Sequence, residues 1–486
     1  MFAFSSITQY HAQLKEGNIT AVRVVELYLQ RIKQTAHLNA FVEVFAQEAL
    51  QKAQSLDEKI KKGDPIKKLH GVVVGIKDVL SYKGHPLSAA SEILKGFIAV
   101  YSATAVERLL EEDAIIIGSL NCDEFAMGSS NENSAFGKVL NPLDETKVPG
   151  GSSGGPAAAV CAGLCMVTLG SDTGGSVRQP ADFCGIAGLK PTYGRISRHG
   201  LVAYASSFDQ IGIFAGNIPD IALLLEVIAG PDEFDSTVSQ KKVEPYSSFL
   251  GNNKKYKIAY FAEALDHPSL DPEIANAIKK MIGQLKNEGH EVKPVAFDLM
   301  DYIVPAYYIL TTAEASSNLS RYDGVRYGNR TKESADELTE FYMQHRSAGF
   351  GKEVKRRIML GTFVLSSGYY DAYYTKAQKV RKKLIEKIEL IFSEFDFILL
   401  PTAPSTAFKI GEKTKDPLAM YLSDIYTVMA NLVGIPSISL PLFTHSNLMP
   451  FGLQLMAKKF NELPLLSFSN HLMLQHKALP KRKSIN

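Results

Sequence analysis

Three short, continuous apolar segments constrain the fold of this chain more than any other feature of its sequence. They are GVVVGIKD, AIIIGS and MVTLGSD, over residues 71–78, 114–119 and 166–172. Runs of this length, bounded by glycine or polar residues, are typical of strands that are buried on both faces of a sheet. Segments with helical periodicity lie between them. The sequence therefore predicts an α/β fold with a mostly parallel sheet.

The spacing of apolar residues predicts long helices elsewhere in the chain, over residues 21–34, 41–60, 271–289 and 375–395. Two later segments, DFILLPTAPSTA (396–407) and PSISLPL (436–442), have the composition of strands interrupted by proline. Neither an internal repeat nor a low-complexity linker interrupts the 486 residues, which favours one large domain over two.

Composition and charge exclude several classes of protein. A net charge of +2 is too balanced for nucleic-acid binding through a general basic field. No apolar run reaches the roughly 18 residues of a membrane span, and the N-terminus lacks the charged region of a signal peptide. The four cysteines are too few for a disulfide framework, and we expect them to be small buried apolar residues. These features favour a cytoplasmic enzyme.

Two glycine- and serine-rich segments are candidates for a functional site: VPGGSSGGPAAA (148–159) and GSDTGGSVRQP (170–180). Neither matches the glycine patterns that bind phosphates. The first does contain G-x-S-x-G, the pattern of a nucleophile elbow, which has to follow a buried strand. The preceding residues, NPLDETKVP, are polar and contain two prolines, so they cannot form a central strand. The elbow interpretation is therefore rejected.

Ser176 in the second segment is a better candidate nucleophile. It follows an apolar strand and a glycine loop whose free N–H groups are able to stabilise the oxyanion of an acyl-transfer reaction. No histidine lies in a comparable position to serve as base. Lys77, however, ends the first apolar strand, where burial would lower its pKa and favour the neutral amine. The alternative is that Lys77 reaches solvent or pairs with Asp78.

These motifs, together with GSLNCDEFAMGSSNENSAFG (118–137) and PFGLQLMAKKFNE (450–462), resemble those of the amidase signature family over nearly the whole chain. The resemblance implies an α/β amidase signature fold, in which helices flank a large mixed β-sheet on both faces. It also implies a single domain over residues 1–486. We divide it into a helical segment at about 1–65, a signature core at about 66–230 and a substrate-pocket region at about 250–470.

The family resemblance also implies roles for individual residues, which form a Ser–Ser–Lys triad. Ser176 matches the nucleophile, Lys77 the base, and Ser152 a bridging serine that follows a cis peptide bond. The oxyanion donors would be the backbone N–H groups of four consecutive residues, Thr173, Gly174, Gly175 and Ser176. For Ser153 two roles stay open, because it either orients the triad or caps the following helix.

Within the family, residues 306–328, 349–374 and 416–441 resemble the glutaminase subunits of tRNA-dependent amidotransferases. This implies hydrolysis of glutamine, whose α-carboxylate and α-ammonium groups need charged partners in a closed pocket. The matching residues are Arg356 for the carboxylate and Asp424 for the ammonium group, with Tyr307 packing beside them. Because Arg356 lies in a basic helix, a purely structural role is the alternative.

The same resemblance implies partners. A glutaminase of this kind works in a heterotrimer with two other subunits, B and C, and supplies ammonia for the amidation of misacylated Glu-tRNA(Gln). Whether tRNA(Gln), tRNA(Asn) or both are served is left open. ATP and Mg²⁺ are expected in one of the partners, since this chain has no nucleotide or metal motif, and no membrane is involved. A stand-alone amidase is the alternative function, whereas an inactive scaffold is disfavoured because Lys77, Ser152 and Ser176 are all present.

The chain departs from the family pattern outside the triad. Leu87 replaces a usual threonine, Ser102 an aspartate, Ser119 a lysine, Pro156 a small residue and Asp182 an alanine. The effect of Asp182, which is close to Ser176 in sequence, is left open.

Overall fold

The computed structural model describes residues 2–251, 254–330, 337–414 and 416–476. Within them, eleven strands form one sheet: β1 (Phe41–Val44), β2 (Val73–Lys77), β3 (Ile115–Leu120), β4 (Val167–Asp172), β5 (Ala187–Lys190), β6 (Gln210–Ala215), β7 (Lys257–Tyr260), β8 (Glu291–Pro294), β9 (Phe397–Pro401), β10 (Ser437–Thr444) and β11 (Pro450–Ala457). The strand order is β1-β3-β2-β4-β6-β5-β10-β11-β9-β7-β8.

The sheet is mixed, as the family resemblance implies, but it is not mostly parallel. β2 is parallel to β3 and β4, and β7 is parallel to β8 and β9. The remaining neighbours pair antiparallel, including the central series from β4 through β6, β5, β10 and β11 to β9. The prediction of a mostly parallel sheet is wrong because it does not include three strands of this central series, β5, β6 and β11.

Helices flank the sheet. Those of the described residues are α1 (Ile7–Lys15), α2 (Ala21–Gln34), α3 (Ala46–Lys61), α4 (Thr104–Glu111), α5 (Gly154–Cys161), α6 (Arg178–Phe183), α7 (Ile218–Ile228), α8 (Ala262–Leu265), α9 (Pro272–Asn287), α10 (Met300–Asn318), α11 (Leu338–Gly349), α12 (Lys352–Val364), α13 (Lys376–Glu394), α14 (Pro417–Leu422), α15 (Val428–Val433) and α16 (Glu462–Gln475). The predicted helices at 21–34, 271–289 and 375–395 are confirmed as α2, α9 and α13.

The predicted helix at 41–60 is wrong in its first turn. Residues 41–44 form β1, which pairs antiparallel with β3. The Phe45 N–H then donates to the Ile117 carbonyl at 2.8 Å, so the chain stays extended up to this residue, and α3 begins at Ala46. Tertiary pairing with a buried strand here overrides the helical periodicity of the sequence.

The three apolar segments form β2, β3 and β4, as predicted, and each is buried throughout. β2 and β4 are parallel neighbours, with Ile76 opposite Leu169. Their carboxyl ends therefore meet at the same edge of the sheet. Lys77 is the last residue of β2, and the loop that carries Ser176 follows β4. The topology thus brings the candidate base and the candidate nucleophile to one edge.

Other predictions concern single features of the chain. All four cysteines are buried, as expected. Across the described ranges, no helix combines the length and the apolarity needed to cross a membrane. The single domain at 1–486 and the boundaries of its three segments stay predictions, although strands from residue 41 to residue 457 join in one sheet.

Three departures from the family pattern fit their surroundings. Leu87 is buried, as suits an apolar side chain. Ser119 donates a hydrogen bond to Asp78 at 3.1 Å. Pro156 is in the first turn of α5, where a missing N–H costs little because the helix leaves that donor unused.

Asp182 in α6 is the departure from the family pattern that we predict to lower the stability of the fold. Its side chain is buried, one carboxyl oxygen has no partner within the described ranges, and burial raises its pKa well above 3.8 although the Gly452 N–H donates to it. An acid whose pKa is higher in the folded than in the unfolded chain favours folding when it is protonated. Its contribution to stability is complete at a pH below the unfolded pKa, and it is lost as the pH rises through the folded pKa.

Asp182→Ala should therefore raise the stability at pH 8 by about 1–3 kcal/mol, the cost of an unsatisfied buried polar group. The gain should shrink as the pH falls from 8 towards 5. Thermal unfolding of the purified chain at several pH values measures it, with Asp182→Asn as the isosteric control that cannot titrate. A lower unfolding temperature for Asp182→Ala across this range would contradict the prediction.

Candidate active site

Lys77 lies inside a cluster of serine hydroxyl groups. Its side chain has no exposed surface, and its Nζ donates to the Oγ atoms of Ser152 at 2.7 Å, Ser153 at 2.9 Å and Ser171 at 2.9 Å. Burial lowers the pKa of Lys77 to about 8, although acidic neighbours such as Asp123 raise it. A neutral amine is thus accessible near neutral pH, as a lysine base requires.

The two alternatives for Lys77 do not fit this geometry. A fully buried side chain does not reach solvent, and Asp78 has other partners. The Asp78 carboxylate accepts hydrogen bonds from the N–H groups of Ser88 at 3.2 Å and Ala90 at 2.9 Å. The serine cluster around Lys77 instead connects it to β4 and to the first glycine–serine segment.

Ser152 is held by backbone contacts from two directions. The Gly151–Ser152 peptide bond is cis, which agrees with the family pattern. The Ser152 carbonyl accepts the Asp123 N–H at 3.1 Å, and the Gly151 N–H donates to Gln179 Oε1 at 3.0 Å. A Cβ at position 151 would overlap the Asp123 carboxylate, so glycine is required there. The first glycine–serine segment thus allows the backbone to approach a buried carboxylate closely.

Ser153 orients the cluster and does not cap the helix. Its hydroxyl accepts from Lys77 and donates to the Ser171 carbonyl at 3.0 Å, and it makes no capping hydrogen bond to α5. Of the two roles left open by the sequence, capping is wrong. Ser171 was not predicted, because a serine within an apolar strand carries no sequence signal of its own.

Ser176 lies in the turn between β4 and α6 and is 8% exposed. Its carbonyl accepts the Ser153 N–H at 3.3 Å, which places the two glycine–serine segments side by side. Within the described ranges, no hydrogen bond joins Ser176 Oγ to Ser152 Oγ. The structure thus brings Lys77 and Ser152 into direct contact, and Ser176 next to them, with their catalytic roles still predictions.

The predicted oxyanion donors are not all free. The Gly175 N–H donates to Asp172 Oδ1 at 2.9 Å, so this donor is already occupied, and the expectation of a free N–H there is wrong. The N–H groups of Thr173, Gly174 and Ser176 have no acceptor in the described part of the chain. Three donors of this turn are therefore available to a developing oxyanion.

Asp172 and Arg178 support this turn, and neither was predicted from the sequence. Both are fully buried, and Arg178 donates to Asp172 from Nε at 3.1 Å and from Nη2 at 3.0 Å. Burial alone would raise the pKa of Asp172, but Arg178 and Asn431 lower it to about 2. The Asp172 carboxylate accepts hydrogen bonds from the Gly175 N–H at 2.9 Å and from the Val177 N–H at 3.1 Å, and thus holds the turn in place.

Tyr307 and Asp424 flank the same turn. The Tyr307 hydroxyl lies so close to Gly174 that a Cβ there would overlap it. Asp424 is buried and accepts hydrogen bonds from Ser129 Oγ at 2.8 Å and from the Tyr308 hydroxyl at 3.0 Å. Burial raises the pKa of Asp424 to about 6, so the carboxylate is ionised at neutral pH.

Arg356 lies at a different position. It pairs with Glu353 on α12 and lines a cavity of about 330 Å³, which neither Tyr307 nor Asp424 lines. Its neighbour Arg357 is the buried arginine of the helix. Arg357 donates to Glu353 at 2.9 Å and to the Tyr204 hydroxyl at 2.9 Å, and lies 5.4 Å from the centroid of the Tyr308 ring. It thus connects α12 to the Asp424 side of the site.

A buried lysine of lowered pKa, hydroxyl groups within its reach and a turn with free N–H donors are the features that an acyl-transfer site of the serine hydrolase class requires. The Amidase family model matches residues 23–466, and the chain belongs to this family.

Two A subunits of glutamyl-tRNA(Gln) amidotransferase are similar in sequence to this chain over nearly its full length. The A subunit of glutamyl-tRNA(Gln) amidotransferase from Chlorobium phaeobacteroides (strain BS1) is 51% identical over 475 residues, covering 96% of this chain and 98% of that protein. The protein of the same name from Chlorobaculum tepidum is 49% identical over 98% of this chain and 99% of its own length.

Solved structures share the fold. That of the glutamyl-tRNA(Gln) amidotransferase A subunit from Thermotoga maritima is 38% identical, with a TM-score of 0.77 over 96% of this chain and 95% of that one. A peptide amidase from Stenotrophomonas maltophilia is 26% identical, with a TM-score of 0.82 over 99% of both chains.

Proposed function

We propose that this chain is the glutaminase subunit of an amidotransferase that converts misacylated Glu-tRNA(Gln) to Gln-tRNA(Gln). The observation that carries the proposal is the identity of 49% to 51% with proteins of that name, over nearly the full length of both chains. The peptide amidase, at 26%, shares the fold and not this degree of similarity, which disfavours a stand-alone amidase.

In the proposed reaction, Ser176 Oγ attacks the side-chain carbonyl carbon of glutamine. Its proton passes to Ser152, whose hydroxyl proton passes to the neutral amine of Lys77. This relay needs a contact between Ser176 and Ser152 that tightens when substrate binds. The N–H groups of Thr173, Gly174 and Ser176 stabilise the oxyanion. The proton returns to the leaving nitrogen, ammonia departs, and water cleaves the acyl–Ser176 ester to release glutamate.

Substrate selection rests on two charges. In this proposal Arg356 pairs with the α-carboxylate and Asp424 with the α-ammonium group, while Tyr307 packs beside the substrate over Gly174. Asp424 already has a buried position and an ionised carboxylate near neutral pH. Arg356 is about one-third exposed at the cavity wall, so it is accessible to a ligand and has to exchange Glu353 for the substrate carboxylate.

The ammonia would serve a second protein of a cytoplasmic heterotrimer, with subunits B and C as the partners of this chain. There, ATP and Mg²⁺ activate the carboxylate of the misacylated tRNA, and ammonia amidates it. This chain would need no cofactor or metal of its own. The proposal leaves open whether the complex also amidates Asp-tRNA(Asn).

The isolated chain should hydrolyse glutamine slowly and produce no amidated tRNA. Adding the two partner subunits, ATP, Mg²⁺ and Glu-tRNA(Gln) should speed up glutamine hydrolysis and start the amidation of the tRNA. The amidation needs the partner, because the ammonia that this chain releases is consumed there. Glutamate release and Gln-tRNA(Gln) formation are the two measurements. Full activity of the isolated chain on glutamine or on simple amides, with no gain on assembly, would instead favour the stand-alone amidase.

A further inference from the structure

Two consecutive residues connect the proposed triad to the helix that carries Arg356. The Asp123 N–H donates to the Ser152 carbonyl at 3.1 Å. The carboxylate of the next residue, Glu124, accepts the Gly351 N–H at 3.1 Å and 2.8 Å, one distance to each oxygen. Gly351 is the N-cap residue of α12. Only one peptide unit therefore separates the anchor of the bridging serine from the anchor of the substrate helix.

The contact between Glu124 and Gly351 leaves no free space. Glu124 is 4% exposed, and a Cβ on Gly351 would overlap its Oε2 atom. The Ser91 hydroxyl donates to Glu124 and also lies 3.3 Å from the Gly349 carbonyl, just before α12. The backbone φ of Gly351 is −70°, which other residues adopt readily. Glycine is thus required by the proximity of Glu124 and not by its backbone conformation.

A carboxylate at this position has a clear physical effect. It accepts an N–H group that the start of a helix leaves unsatisfied, and its negative charge is favourable at the positive end of the helix. Both effects fix the start of α12 against the segment that carries Asp123 and Glu124. Because α12 is 13 residues long and rigid, the position of its first turn sets the position of Arg356 in its second turn.

We propose that Glu124 is a positioning residue, which holds α12 and therefore Arg356 in register with Ser152 and the nucleophile. Glu124 does not touch the substrate in this proposal and acts only through Gly351. The inference rests on the proposed function and deepens it, since it names the residue that couples glutamine recognition to the triad.

The charge state of Glu124 should affect the pH dependence of the KM for glutamine. A residue with only a structural role would not change this pH dependence. Burial raises the pKa of Glu124 to about 7, while the Ser91 and Gly351 hydrogen bonds and Lys355 on α12 lower it, and Glu92 raises it. The ionised carboxylate is the stronger acceptor for the Gly351 N–H. The KM for glutamine should therefore rise as the pH falls through about 7. Glu124→Gln, which cannot titrate, should lose this inflection and keep only the rise in KM that protonation of Asp424 causes at about pH 6.

In the assembled enzyme, Glu124→Ala should raise the KM for glutamine about tenfold, as expected for losing a hydrogen bond to a charged group, with kcat nearly unchanged. Amidation with ammonium chloride should be retained. Gly351→Ala attacks the same contact from the other side and should have the same effect. Gly283→Ala is the matched control, because a Cβ on this mid-helix glycine meets nothing within 4 Å.

Parallel loss of glutamine-dependent and ammonia-dependent activity in Glu124→Ala and Gly351→Ala would overturn the proposal, because it would show a structural role. An unchanged KM in both variants would also overturn it. If the wild-type assembly itself fails to hydrolyse glutamine, the proposed function fails together with this inference. The wild-type measurement thus separates the two failures.

Discussion

Replacing Lys77 by arginine should lower glutamine hydrolysis by the assembled enzyme by about 10³-fold or more, in the range of a lost general base. A guanidinium group stays protonated at every accessible pH, so it can donate to the hydroxyls of Ser152, Ser153 and Ser171 but cannot take a proton from them. Glutamate release measures the loss. Ammonia-dependent amidation should persist, because that reaction uses the partner protein.

Arginine is larger than lysine, and position 77 is fully buried, so the fold needs its own controls. Lys77→Met removes the base without adding volume and should lose as much glutaminase activity. Lys190 is a matched lysine, also fully buried, with its pKa lowered to about 7 by burial, but it donates to carbonyl groups such as that of Pro191 and not to serines. Lys190→Met should reduce thermal stability without selective loss of the glutaminase. Near-normal glutamine hydrolysis by Lys77→Arg would refute the assignment of the base.

Substitutions in the proposed glutamine pocket should separate glutamine from ammonia as nitrogen donors. Arg356→Lys should lower kcat/KM for glutamine by about 10–100-fold, equivalent to about 1.5–3 kcal/mol of a charged hydrogen bond. A lysine cannot reproduce the bidentate pairing of a guanidinium with a carboxylate. Asp424→Asn should have a similar effect on the ammonium side. Both variants, assembled with their partners, should still amidate tRNA with ammonium chloride.

The neighbours of Arg356 provide the controls. Thr362 is on the same helix, is exposed and donates to the Ile358 carbonyl at 2.9 Å, outside the pocket, so Thr362→Ala should leave kcat/KM for glutamine unchanged. Arg357→Lys tests the buried arginine. A larger selective loss in Arg357→Lys than in Arg356→Lys would transfer the recognition role to Arg357. Equal loss of the glutamine and ammonia reactions would show that these residues are structural.

The fold was predictable where a segment had one strong local signal. The apolar runs of β2, β3 and β4 and the periodic helices α2, α9 and α13 lie where their local patterns predict them. β5 (Ala187–Lys190) is only four residues long and carries a buried lysine, so its sequence resembles a loop. Its strand character comes from pairing with β6 and β10 on either side. Short strands of this kind are stabilised by their neighbours and not by their own composition.

The predicted active-site residues divide in the same way. Lys77 and Ser176 stand out because an amine and a hydroxyl group follow apolar strands, a pattern that needs no knowledge of distant contacts, whereas Ser152 is identified only by the family resemblance. Ser171 and Glu124 were not predicted, because each contacts a residue of another segment and looks ordinary in its own. Arg178 was not predicted either, because its pairing with Asp172 depends on a fold that also brings Asn431 to within 2.7 Å of it. The occupied N–H of Gly175 was likewise unpredictable, since it depends on the rotation of the Asp172 side chain.

The amino-acid sequence alone is thus enough to predict the buried strands at the site, the candidate residues for acid–base chemistry and the family motifs that they match. The contacts between distant segments are known only from the folded chain. Ser153 orients the lysine, Arg357 and not Arg356 is the buried arginine, and Glu124 meets Gly351 across 227 positions of the chain. The reason is physical. Local periodicity reports how a residue is placed on its own helix or strand, whereas the hydrogen-bond partners of buried polar groups come from elements that pack together from distant parts of the chain.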